Sequence, residues 1–108
     1  MFAKYTPAGF ISPIDGIQMK TFVYGDNSLL ARFHLKKGSF LPLHSHPHEQ
    51  TGFMVSGKMK LFIGKEEFVA EAGDSWSIKG SIEHRAQILE DSVAIEVFSP
   101  LREDYLPV

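Results

Sequence analysis

A chain of 108 residues makes one domain with room for a real core. Its lack of cysteine removes both a disulfide framework and a thiolate metal cage, so any metal would be held by nitrogen and oxygen. Eleven basic against thirteen acidic residues give a net charge of -2, with no basic run longer than Lys36-Lys37, which argues against a nucleic-acid partner. The opening Met1-Phe2-Ala3-Lys4-Tyr5-Thr6-Pro7 has neither the apolar core of a signal peptide nor the length of a membrane span, so a soluble cytoplasmic protein with no membrane partner is expected.

Nine glycines and six prolines cut the chain into pieces too short for ordinary helices, which predicts an all-β domain. Residues 1–16, with Pro7, Gly9, Pro13 and Gly16, read as an arm or irregular edge strand, and residues 17–108 as a barrel with a C-terminal tail. Residues 18–24 are rich in β-branched and aromatic side chains and end at the turn signal Gly25-Asp26-Asn27. Residues 29–35 return with Leu29, Ala31, Phe33 and Leu35 on one face, which leaves His34 on the other, among polar groups and away from any metal. Further on, residues 51–56 form a strand closed by Gly57, and residues 58–63 and 67–71 form a hairpin across Gly64-Lys65. Gly73-Asp74 turns into residues 75–78, Lys79-Gly80-Ser81 turns again, and residues 93–98 make an apolar strand carrying one carboxylate, Glu96, before Pro100. Roughly nine to eleven short strands with brief turns predict a sandwich or a barrel, and closure would remove exposed edges.

The stretch Gly38-Ser39-Phe40-Leu41-Pro42-Leu43-His44-Ser45-His46-Pro47-His48-Glu49-Gln50 carries the chemistry. In extended backbone alternate side chains share a face, so His44 and His46 set two imidazoles on one wall, and Gln50 offers an amide oxygen in the same phase. His84, thirty-four residues later, is the one histidine of the C-terminal half. A histidine-rich tract also suits a solvated loop or a tag remnant, but tags sit at termini and this tract is internal. His48 replaces a ligand if the strand bulges and otherwise faces solvent from a loop. Met54, in phase with Gln50, is expected to line the same cavity, whereas Trp76, Phe53, Phe62 and Phe68 read as core or subunit interface.

Gly38, His44, His46, Gln50 and Gly57 resemble the first motif of the cupin superfamily (glycine, five residues, His-x-His, three or four residues, glutamate, six residues, glycine), with glutamine in the place of glutamate. Gly73 and His84 match the second motif, while Lys79, Ser81 and Ile88 depart from it. The resemblance covers residues 17–100 and implies a double-stranded β-helix, or jelly roll, with a metal inside the barrel mouth. The segment His44–Gln50 taken with Val97-Phe98-Ser99-Pro100-Leu101-Arg102-Glu103-Asp104-Tyr105 is similar to the small cupins of pectin and alginate breakdown, the KdgF family. That similarity implies one divalent transition metal (zinc, nickel, manganese, iron or cobalt) on His44, His46, Gln50 and His84. It also implies conversion of 4,5-unsaturated monouronates to linear keto acids, and a homodimer. The family's active-site aspartate, phenylalanine and arginine have their places taken here by Glu96, Phe98 and Arg102, the glutamate reaching one methylene further.

Three neutral imidazoles and a neutral amide would leave such a cation its full charge for Lewis-acid work. Glu96 is either the proton-transfer group of that cavity or an edge acid, and Arg102 either grips a substrate carboxylate in bidentate fashion or forms a surface ion pair. Phe98, beside Glu96, is the aromatic expected against a substrate. The expected function is a metal-dependent enzyme acting on a small sugar acid; the alternatives are a dioxygenase or isomerase acting on another small organic substrate, and a non-catalytic ligand-binding cupin.

Overall fold

The computed structural model describes residues 1–106. The strands in chain order are β1 Ile11–Ile14, β2 Ile17–Tyr24, β3 Leu29–Leu35, β4 Phe40–His44, β5 Glu49–Ile63, β6 Glu66–Glu71, β7 Ser75–Ile78 and β8 His84–Ser99, followed by a 3-10 turn at Glu103–Tyr105.

 
All pairings are antiparallel, in the order β1-β2-β3-β8-β5-β6, with β4 on β8 and β7 on β5.

The two long strands change partners along their length, and this divides the structure into two layers. The first half of β8 pairs with β4 through Phe40↔Gln87 and His44↔His84, and its second half pairs with β3 from Ser92 to Phe98. Likewise β5 pairs with β7 over residues 50–53 and with β6 over residues 58–63. One layer is therefore β2, β3, late β8, early β5 and β7; the other is β4, early β8, late β5 and β6. This is the jelly roll expected from the sequence, in which each layer turns an apolar face to the other.

The bend between the layers falls where the β5–β8 register shifts, between Met54 and Met59. Gly57 sits there at φ 93°, and a β-carbon on it would overlap Ser92 and the Asp91 carbonyl. Ser92, itself buried, accepts from the Lys58 N–H at 3.0 Å and donates to the Glu90 carbonyl at 2.7 Å, which satisfies the backbone groups the bulge frees. Gly57 thus bends one strand, where the sequence predicts that it ends one. The same correction applies to residues 84–99, which form a single strand of 16 residues. Eight strands, two of them long, replace the expected nine to eleven short ones among the described residues.

In β3 the side chains of Leu29, Ala31, Phe33 and Leu35 are all buried, matching the period-2 pattern of the sequence. They meet Met54, Met59, Leu61, Ala86, Ile88 and Phe98 in one core. Full burial of each large side chain contributes about 1.5–3 kcal/mol. From β2, the Lys20 ammonium donates to the Thr6 and Ala8 carbonyls of the N-terminal arm at 3.0 and 2.6 Å, and β1 forms the sheet edge. His34 stacks on Phe10 at 4.3 Å on the outer face and accepts from Arg32, so it stands apart from the other histidines, as expected. Residues 107–108 of the expected C-terminal tail lie outside the described residues.

Candidate metal centre

Strand pairing joins two distant stretches of the chain. His44 closes β4 directly opposite His84, the first residue of β8, and their ring centroids are 4.1 Å apart. His46 follows in the β4–β5 connection, 5.0 Å from His84 and 5.8 Å from His44. Its loop is tied to the loop before β8 by the Ser81 N–H, which donates to the His46 carbonyl at 2.7 Å. One ring nitrogen from each of the three residues lies within 4.8 Å of the others.

The free nitrogens follow from the bonded ones. Each Nδ1 lies against a backbone carbonyl: Pro42 for His44 at 2.8 Å, His48 for His46 at 2.9 Å and Ile82 for His84 at 2.8 Å. A carbonyl only accepts, so each Nδ1 carries the proton and each Nε2 keeps its lone pair. This outer hydrogen bond is the one that fixes metal-binding imidazoles in their ligating tautomer. The Nε2 of His84 is buried and has no hydrogen-bond partner.

Gln50 is the second residue of β5, and its side chain is buried. Its amide nitrogen donates to Glu96 Oε1 at 2.7 Å, which turns its Oε1 toward His46 Nε2 at 2.8 Å. Two lone pairs then face each other at a separation suited to donors each about 2.0–2.1 Å from one cation. Together with the orphaned nitrogen of His84, this donor set fits a divalent transition metal held by nitrogen and oxygen.

Burial favours the neutral form of two of these imidazoles, His84 and His46. Burial takes the pKa of His84 from 6.5 down to about 4; the Ile82 carbonyl opposes the shift, and the neighbouring His44, His46 and Arg102 charges add to it. His46 is lowered too, by burial first and then by Arg102. Neutral imidazole is the form that binds a cation.

Glu96 extends from β8 into the same cavity, on the face it shares with Ala94 and Phe98. Burial pushes its pKa up, opposed by hydrogen bonds from Trp76 and Gln50 and by the Arg102 charge. Arg102 also lines the cavity, but its fork is engaged: Nε and Nη2 donate to the Asp104 carboxylate at 2.9 and 2.6 Å, while the guanidinium lies 4.0 Å from the Tyr105 ring centroid. Arg102 therefore forms an ion pair, one of its two expected roles, from a place on the cavity wall. Phe98 is buried and also forms part of that wall, 6.0 Å from the His46 ring.

Met54 is the expectation that needs correcting. It shares the inward phase of Gln50, yet it is fully buried in the core and is not among the cavity residues. The Trp76 indole lies over Gly52, between the two, and closes the cavity before Met54 is reached. His48 likewise stays outside the three-histidine group and contributes its carbonyl. Trp76 and Tyr105 line the cavity without having been singled out for it. The signal for Trp76 was a bulky ring facing a glycine across β5 and β7, which becomes visible only once those strands are paired.

The family profile described as Cupin domain (Cupin_2) matches residues 31–99. The pectin degradation protein KdgF of Dickeya dadantii (strain 3937) is 30% identical over 94 residues, covering 85% of this chain and 86% of that protein. The structure of KdgF from Halomonas sp. superposes with a TM-score of 0.92 at 27% identity, over 98% of each chain. An RmlC-like cupin from Shewanella frigidimarina NCIMB 400 also gives 0.92, at 21% identity over 98% of this chain and 96% of that one, a likeness of fold.

Proposed function

The chain belongs to the Cupin domain family, and from that premise we propose that it isomerises 4,5-unsaturated uronates, the products of pectin or alginate cleavage, to linear keto acids. The observation that carries this is a carboxylate, Glu96, fixed beside three convergent imidazoles in a cavity that also holds a guanidinium. The likeness to a pectin degradation protein supports a substrate drawn from pectin.

In the cyclic substrate C4=C5 is conjugated to the ring oxygen, and C1 is a hemiacetal. Opening breaks the bond from C1 to the ring oxygen; C1 becomes an aldehyde as its hydroxyl loses a proton. The ring oxygen becomes the C5 ketone as C4 gains a proton. One proton leaves and one is added, so neither water nor an oxidant is consumed. Such a reaction needs a group that both takes and gives a proton, the role assigned here to Glu96. Its Oε1 accepts from Gln50 and Trp76, while Oε2 has no hydrogen bond among the described residues. Arg102 spends Nε and Nη2 on Asp104, and its guanidinium charge on the cavity wall is assigned to the sugar carboxylate. A divalent cation on His44, His46, Gln50 and His84 would polarise the sugar oxygens with its full double charge.

The test is incubation with unsaturated galacturonate and with unsaturated mannuronate, followed by proton NMR beside an oxygen electrode. Loss of the vinyl C4 proton faster than in buffer, without oxygen uptake, is expected. No acceleration with either sugar would sink the proposal, and oxygen uptake would favour a dioxygenase.

A further inference from the structure

Trp76 of β7 stands opposite Gly52 of β5, and a β-carbon at position 52 would overlap the indole. Glycine therefore makes the space that lets the ring lie flat on the inner face of β5. From there its Nε1–H donates to Glu96 Oε1 at 3.0 Å, the same oxygen that accepts from Gln50. We propose that Trp76 is a positioning residue: its indole N–H, seated by Gly52, holds one oxygen of Glu96 so that the other faces the substrate. This role presupposes Glu96 as the proton-transfer group.

The need for such an anchor lies in the length of the side chain. A glutamate carboxylate turns about a broad terminal torsion at the end of two further rotatable bonds, so a single donor leaves its direction loose. Two donors on one oxygen fix which oxygen is left free. They are not equivalent, however. Gln50 belongs to the candidate metal ligands, whereas Trp76 has no place among them. Removing the indole N–H should therefore disturb the aim of Glu96 and leave the donor set whole.

The sequence holds one tryptophan, so a proton–nitrogen correlation spectrum contains a single indole resonance. Glu96→Gln is expected to move that resonance upfield, because a neutral acceptor replaces a charged one. Gly52→Ala, which displaces the ring, should move it as well. Trp76→Phe keeps an aromatic ring and loses the donor; kcat is expected to fall about tenfold to a hundredfold, with KM and bound metal unchanged. An indole resonance unmoved by Glu96→Gln overturns the proposal, as does wild-type kcat in Trp76→Phe or loss of its metal. If the wild type turns over neither uronate, the assigned substrate fails, and the indole shift, which needs no substrate, still decides whether Trp76 holds Glu96.

Discussion

His46 and Gln50 meet at 2.8 Å through two atoms that both carry lone pairs, the imidazole Nε2 and the amide Oε1. The His48 carbonyl fixes one of these atoms and the Glu96 carboxylate fixes the other. Glu96 is thus more than a neighbour of the candidate ligands, since it sets the orientation of the amide among them.

Gln50→Glu tests that link. It would put a second carboxylate against Glu96 at the present 2.7 Å contact, where two like charges cannot both stay ionised. Metal content should be kept, since carboxylate is also a good ligand, while kcat falls at least about tenfold as Glu96 is forced to keep a proton. Elemental analysis beside the NMR assay checks both halves; undiminished kcat would contradict the coupling.

Arg102→Lys should raise KM for the uronate about tenfold to a hundredfold, because an ammonium cannot serve Asp104 and a sugar carboxylate together as the guanidinium fork does. Steady-state kinetics decide this, and an unchanged KM would return Arg102 to a purely structural ion pair.

Met54→Ala should cost about 2–5 kcal/mol of stability, as for other large-to-small changes at fully buried positions, and leave KM unaltered. Denaturant unfolding and kinetics separate the two effects. A raised KM with normal stability would restore Met54 to the cavity.

The metal-free protein should lose stability as pH falls from 6.5 toward 4. In that window the unfolded chain protonates His84 at its ordinary pKa of 6.5, while the folded chain resists down to about 4, so the unfolded state binds more protons. Below about 4 the group contributes no further loss. Thermal unfolding in chelator, compared with His84→Gln, isolates this contribution: the wild-type Tm should fall more steeply with acid than that of the variant. Parallel curves would refute it.

Much of this architecture is legible in the sequence because alternation in residues 29–35 and turn signals at Gly25, Gly64 and Gly73 are local. The bend at Gly57 is hidden for the same reason: a glycine looks alike in sequence whether it ends a strand or bends one, and only the partner residue Ser92 distinguishes them. Convergence of His84 with His44 and His46 was suggested by motif spacing. The engagement of Glu96 by Trp76 could not be, since it depends on β5 lying between β7 and β8. Met54 shows the limit of phase as a guide, because side chains on one face can still be partitioned by a ring inserted between them.

The central claim is that three imidazoles and one amide oxygen from distant parts of the chain hold a single cation. Elemental analysis of protein purified without an affinity tag tests it most directly, alongside His84→Ala. One equivalent of a divalent transition metal in the wild type, and its loss in the variant, is predicted. A wild type free of bound metal even after incubation with zinc, nickel, manganese, iron or cobalt would contradict the account, as would a variant that retains the full equivalent.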